Sequence, residues 1–299
     1  MVMRRNEGVG VQDTEEKPQN WAGTQRYAFI EFRLFWHGRI NRSDLMDQFG
    51  ISTQQAAIDL TGYAKAYPDN TFYSRQARSY VILDSFKPRF IEATSEDYLA
   101  QLLAVKQGLL TKDASWTNDY VVGSITTPAR GVLPDILRDV LTAIETQTAL
   151  GVVYQSMAHP EPRSRWIEPH ALAFDGFRWH ARAFCLNDHV FKDFLLSRII
   201  SVKGQRPRTA DPAQDTDWHT EVIFEIGPHP ALSPSQKKAI SLDYNMQKGR
   251  GQIKTRRALM FYTLNKLGLG ADPDARRPQD QQIVLLNRDE VLGNMETKV

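Results

Sequence analysis

Residues 41–82 read NRSDLMDQFGISTQQAAIDLTGYAKAYPDNTFYSRQARSYVI. Asn41 stands three residues before Asp44, a variant of the capping box, and Leu45, Met46 and Phe49 supply the buried side of a short helix that Gly50 ends. Ser52 with Gln55 forms a second capping box, Ala56, Leu60, Tyr63 and Tyr67 line one face of the next helix, and Pro68 closes it. Two capped helices joined by the tight Gly50-Ile51 turn match a helix-turn-helix, whose compact corner lets the second helix project into a DNA groove. The β-rich runs 71–74 and 79–83 flank Arg75-Gln76-Ala77-Arg78 and predict a hairpin wing. Its use is to bring Arg75 and Arg78 against phosphates or a minor groove while the helix beginning at Ser52 faces base edges.

Upstream, Tyr27, Ile30 and Leu34 recur at spacings of three and four, predicting an amphipathic first helix from Thr24 with Gly38 as its stop. Downstream, Tyr98, Leu99, Leu102 and Leu103 predict a short helix within connecting structure. A firmer helix opens at Pro134, with Ile136, Leu137, Val140, Leu141 and Ile144 as a broad apolar stripe. From Gly151 the period becomes that of short strands: 152–156, 165–167, 171–174, 177–186 and 191–199, punctuated by the turn pairs Asp175-Gly176 and Asn187-Asp188. The pattern predicts a small antiparallel sheet or barrel of five strands. The polar stretch 204–220 carries no periodicity and reads as a domain boundary. Beyond it come a strand at 221–226, a capping box at Ser233-Pro234-Ser235-Gln236, a helix over 255–267 and a closing strand at 281–286, in the order of a small α/β sandwich.

The whole chain has 299 residues, enough for two or three domains, and its 41% hydrophobic and 24% charged residues are those of an ordinary globular protein. A net charge of +2 does not announce a nucleic-acid partner; nine Lys and Arg against six Asp and Glu between Trp21 and Arg89 is a mild local excess. The one cysteine, Cys185, excludes an internal disulfide and a cysteine-rich metal site, which fits a reducing, cytoplasmic setting. No apolar run approaches the roughly 18 residues of a membrane helix, and 1–20 reads as a disordered tail.

Motifs of nucleotide-binding loops, hydrolase nucleophiles and zinc proteases are missing from the sequence. Ser156, His159, His170 and Asp175 are a weak candidate for nucleophilic chemistry, and His159, His170 and His180 for zinc; neither set has a supporting spacing. No cofactor is expected. Denser is the polar set Tyr154, Ser156, Arg165, His170, Arg178, Trp179, Arg182 and Arg198, in which arginine forks suit phosphates and the aromatic rings suit stacking on bases. The bland alternative is a solvated outer face of a half-buried sheet, with Trp179 in the core.

YQSMAHPEPRSRWIEPHALAFDGFRWHARAFCLNDHVFKDFLLSRII, residues 154–200, resembles the WYL domain, an Sm-like β-barrel of bacterial transcriptional regulators. Residues 26–81 resemble the winged helix-turn-helix that precedes it. PHPALSPSQKKAISLDYNMQKG (228–249) and RRALMFYTLNKLGL (256–269) are similar to the WYL C-terminal extension of the BrxR/CapW type, associated with phage-defence islands. The resemblance implies an α+β multidomain chain: tail 1–20, winged helix 21–90, helical linker 91–149, WYL domain 150–204 and dimerisation extension 220–299. It implies a homodimeric repressor on an inverted-repeat DNA operator, released by a nucleotide or nucleic-acid signal, with no membrane partner. Ligand positions of the family fall on Tyr154, Ser156, His170, Arg182 and Arg198, with Trp179 beside them. The namesake triplet here is Trp179-His180-Ala181, so the ligand's identity does not carry over. For DNA, Ser52, Thr53, Gln54 and Gln55 start the recognition helix, with Arg42, Arg75 and Arg78 on the backbone; a glutamine amide pairs with adenine N6 and N7, although capping competes for Gln55. An enzyme acting on nucleic acid and a constitutive DNA-binding protein without effector are the alternatives.

Overall fold

In the computed structural model the described residues are 21–125, 128 and 131–296, with side chains described as far as residue 293. The predicted tail, 1–20, lies outside them. The chain divides into two compact units, 1–127 and 128–299.

In the first unit, helix α1 (Trp21–His37) leads through a two-residue strand β1 (Arg39–Ile40) into α2 (Arg42–Phe49) and α3 (Thr53–Ala66). Strands β2 (Thr71–Ser74) and β3 (Ser79–Ile82) follow, then α4 (Ser95–Lys106). The Asn41–Asp44 capping box closes in both directions, and Gly50 ends α2 at φ 62°, a left-handed conformation glycine adopts without steric cost. The second predicted box is half made. Ser52 Oγ accepts from the Gln55 amide at 3.1 Å, but the Gln55 side chain donates to Asp59 Oδ1 at 3.0 Å. Asp59 is a charged acceptor one turn along the same face, held by Arg26 at 2.6 Å, and it outcompetes the neutral cap. The antiparallel sheet has the order β1-β3-β2, and β2 and β3 form the predicted wing.

The core of this unit joins Ile30 and Leu34 of α1 to Leu45, Ala56, Leu60 and Tyr63 of the two following helices. Glu31 lies fully buried within it, a position that periodicity alone gives no reason to make acidic. Its carboxylate accepts from Tyr63 Oη (3.0 Å) and from the amides of Arg89 and Phe90 (2.8 Å each), so the chain leaving the wing is fastened to α1. Burial pushes the Tyr63 hydroxyl up, keeping it a donor. Trp116 meets Phe29 and Phe32 edge-on and carries the segment after α4 onto the same core.

The second unit opens with α5 (Pro134–Thr146), followed by β4 (Thr148–Tyr154), β5 (Arg163–Phe174), β6 (Trp179–Cys185), β7 (Val190–Leu195) and β8 (Ile199–Pro207). They form one antiparallel sheet in the order β7-β6-β5-β4-β8. Among the described residues β7 and β8 do not pair, so the five strands make an open sheet rather than the expected closed barrel. The runs 165–167 and 171–174 are one strand, bent by a bulge at Pro169, where a missing N–H is tolerated. The run 191–199 is instead broken by a 3₁₀ turn at Leu196–Arg198, and β8 extends into the stretch that reads as a linker. One face of the sheet buries Leu150, Val152, Tyr154, Ile167, Ala181, Ala183 and Phe194 against Ile136, Val140 and Ala143 of α5.

The chain continues through a one-turn helix α6 (Thr216–His219), then β9 (Glu221–Pro228), α7 (Pro234–Asp243), β10 (Gly251–Arg256), α8 (Met260–Leu267), β11 (Ile283–Leu285) and α9 (Arg288–Glu296). The sheet order is β10-β9-β11, with its own apolar core. The Ser233–Gln236 capping box is present in full. The helix expected from residue 255 starts at Met260, because 251–256 form β10 along β9. That strand has only Ile253 as a strongly apolar residue, and its alternation is too weak to register as a period of two.

Candidate functional site

In the first unit, Ser52, Thr53 and Gln54 are exposed on and just before the first turn of α3, while Gln55 is half-buried with its amide on Asp59. Ile58, Thr61 and Lys65 continue the exposed stripe that starts at Gln54, at the helical spacing of three and four. These three escaped the sequence reading, although the same periodicity that marks the buried face assigns the opposite one. Between this stripe, the start of α2 and the wing lies a concavity of about 450 Å³ lined by Arg42, Ser43, Ala57, Thr61, Tyr73, Arg78 and Tyr80 among others. Thr61 Oγ1 and Tyr80 Oη stand 3.4 Å apart, and Tyr73 meets Tyr80 edge-on, so the concavity carries hydroxyls on a braced wall.

Arg75 and Arg78 are exposed at the tip of the wing, where Ser74 Oγ accepts from the Ala77 amide at 3.2 Å. Arg78 has φ 50°, a left-handed conformation that disfavours a side chain by about 1–2 kcal/mol relative to glycine. Among the described residues no ion pair engages Arg42, Arg75 or Arg78. Three free guanidinium groups around a helix that presents amide and hydroxyl groups form a surface able to hold phosphates and read base edges.

In the second unit the six expected effector residues fall into separate groups. Tyr154 belongs to the apolar core, and its hydroxyl accepts from the Leu195 amide at 3.2 Å. At the end of β4 the amide of Gln155, the residue before Ser156, donates to the backbone carbonyl of Arg198 at 3.1 Å. Among the described residues Ser156 Oγ is buried without a hydrogen-bond partner. Trp179 is 50% exposed and lies against Phe174 with ring centroids 4.8 Å apart, so it is not core.

Arg182 and His170 form a buried ionic group. Arg182 Nε and Nη2 donate to the two oxygens of Asp215 at 2.7 and 2.8 Å, and Nη1 reaches Asp193 at 3.2 Å. His170 Nε2 lies 3.0 Å from Asp215 Oδ2, and Tyr262 Oη of α8 donates to Asp193 at 3.0 Å. Burial opposes ionisation of Asp215, yet the hydrogen bonds from Arg182 and His170 outweigh it and hold the carboxyl far below the usual range. Beside this group, Asp175 receives Arg178 (2.7 Å) and His180 (3.1 Å), and the same balance of burial against hydrogen bonds lowers its pKa to about 2. His159 faces Arg163, so the three histidines weighed for zinc each sit in a separate partnership. The four groups weighed for nucleophilic chemistry are likewise not gathered in one place: Asp175 serves Arg178 and His180, and His170 serves Asp215. No sequence signal marked Asp215 or Tyr262: the first comes from the stretch read as a domain boundary, the second from the helix read over 255–267.

A winged helix, a five-stranded sheet packed on a helix, and an α/β module, in that order, define a class of multidomain winged-helix proteins. Residues 23–104 match the BrxR transcriptional regulator winged helix-turn-helix domain, 135–203 the WYL domain, and 221–291 the BrxR transcriptional regulator C-terminal dimerization domain. The chain is 40% identical over 274 residues to the DNA-binding transcriptional repressor CapW of Pseudomonas aeruginosa and 38% identical over 273 residues to that of Stenotrophomonas maltophilia, with 91% of each chain covered in both cases. It is 35% identical over 285 residues to the CapW of Escherichia coli, covering 94% of this chain and 95% of that one. The chain belongs to the BrxR/CapW family of WYL-domain transcriptional regulators.

Proposed function

We propose that the chain is a homodimeric repressor that binds an inverted-repeat DNA operator through α3 and the wing and leaves it when a nucleotide or nucleic-acid fragment binds the WYL sheet. The relatives carry the name of DNA-binding transcriptional repressor, and the family of the last module is described as a dimerization domain. The observation that carries the reading is the exposed face of α3 and the wing, with Arg42, Arg75 and Arg78 unpaired around it. Gln54 is the base-reading amide, Gln55 being committed to Asp59. Arg78 keeps its side chain at a backbone position that costs glycine less, which supports a role in touching DNA. The regulated genes are those of a phage-defence operon, as the family resemblance implies. Among the described residues no helix is long and apolar enough to cross a membrane.

The test is the double variant Arg42→Ala/Arg78→Ala in salt titrations of DNA binding. Binding to operator and to scrambled DNA falls together, by roughly 10- to 100-fold, and the slope of log K against log salt shrinks by about 0.9 for each phosphate that is no longer neutralised. An unchanged slope means that neither arginine neutralises a phosphate.

A further inference from the structure

The buried ionic group of the WYL sheet holds a carboxylate where an anionic effector would be expected. Asp215 takes the Nε and Nη2 donors along one edge of the Arg182 guanidinium and the Nε2–H of His170, with side-chain exposures of 1% for Asp215 and 3% for Arg182. Three donors converging on one carboxylate are also the donor set of a phosphate seat. Arg182 does not need Asp215 for neutrality, since Asp193 already reaches it at 3.2 Å. One guanidinium thus faces two carboxylates, and Asp193 is further held by Tyr262.

Asp215 does not belong to the sheet. It lies in segment 208–220, between the end of β8 and the start of β9, and caps α6 by accepting from the Trp218 amide at 3.2 Å. That segment is attached at both ends. Glu168, buried beside Pro169, accepts from the Thr209 and Ala210 amides at 2.9 and 2.7 Å. At the other end Arg257 donates to Asp217 at 2.6 Å, and Arg256 stacks on Trp218 with 4.6 Å to the ring centroid. Withdrawal of Asp215 therefore removes the cap of α6 and pulls on residues at the base of the C-terminal module.

We propose that Asp215 is an internal plug in a phosphate seat: its carboxylate occupies Arg182 and His170 in the DNA-binding state, and a phosphate group of the effector replaces it in the released state. The proposal rests on the reading of the WYL sheet as the effector site. Asp193 stays on Arg182, and Tyr262 on Asp193, in both states, while α6 moves out and carries the change to β9 and β10. An effector shifts the equilibrium only by its preference for the unplugged form, so the plug sets the threshold for release.

The experiment uses the full chain and inorganic phosphate, titrated calorimetrically at constant ionic strength into wild type, Asp215→Asn and Asp215→Asn/Arg182→Gln. Asparagine keeps the helix cap and removes the charge that competes with the ligand. Asp215→Asn is expected to bind phosphate roughly tenfold or more tightly than wild type, and the double variant to lose the gain. Arg257→Ala, which loosens α6 without touching the ionic group, gives a smaller gain in the same direction and serves if Asp215→Asn does not fold. Equal phosphate affinity in wild type and the folded variant overturns the plug. Adenosine monophosphate and a 5′-phosphorylated dinucleotide, each beside its dephosphorylated form, distinguish the two sources of the phosphate. If phosphate fills Asp215→Asn without weakening its hold on the operator, the plug stands and release through this site falls. If phosphate affinity is unchanged while wild type still leaves the operator on adding a nucleotide, the plug falls and release stands.

Discussion

Arg182→Ala is expected to destabilise the second unit by about 3–5 kcal/mol near neutral pH, the range for breaking a buried ion pair from one side. The loss comes from what remains: Asp215 and Asp193 are left as buried carboxylates facing each other across the vacated fork, with only His170, Trp218 and Tyr262 among the described residues to satisfy them. The pH dependence follows from the sign of the shift. Asp215 has its pKa depressed in the folded wild type, so its contribution is complete above the unfolded carboxyl value of about 4 and is lost as pH falls through the folded one. In the variant the lost cation no longer opposes the burial of Asp215, so that acid protonates more readily and the gap to wild type narrows as pH drops below about 4. Urea denaturation at neutral and acid pH measures both effects. A variant within about 1 kcal/mol of wild type at neutral pH means the group does not hold the fold.

In the first unit, Glu31→Ala is expected to cost about 3 kcal/mol. Three donors lose a charged acceptor in the core: the Tyr63 hydroxyl and the Arg89 and Phe90 amides. Each unsatisfied buried group carries a penalty of about 1–3 kcal/mol, reduced here because alanine leaves room for water to accept from the Tyr63 hydroxyl and the two amides. Operator binding falls with folding, since α1 and the chain leaving the wing are released from each other. Glu31→Gln keeps an acceptor of the same shape and is expected to recover more than half of the loss. Thermal melts of the three proteins measure the order wild type, Glu31→Gln, Glu31→Ala; equal melts for the two variants would show that charge rather than geometry is what Glu31 supplies.

The helix-turn-helix was legible because its signals are local. The Asn41–Asp44 box, Gly50 and the apolar spacing of α3 each act within one or two turns, and the structure keeps all of them. The Gln55 box is equally local in sequence but loses to Asp59, whose standing depends on Arg26 from another helix. The WYL strands were readable from their turns, whereas the bulge at Pro169 and the continuation of β8 depend on pairing with distant strands. The candidate site was less legible. Arg42, Arg75 and Arg78 stand out on sequence because exposed arginines at turns and helix starts keep their local context. Arg182 and His170 read on sequence as free ligand donors, and their real partner, Asp215, lies 33 and 45 residues away in a stretch with no periodicity. Buried charge pairs formed across such separations leave no local pattern to read.

The most direct measurement is a mobility-shift titration of the full chain with the DNA just upstream of its own gene, against scrambled DNA of the same length, at physiological salt. A repressor working through α3 and the wing binds the upstream DNA roughly tenfold or more tightly, at a site with two-fold symmetry whose half-sites lie about one or more helical turns apart. Equal, salt-sensitive binding to both would contradict it, leaving only a nonspecific attraction between exposed arginines and phosphates.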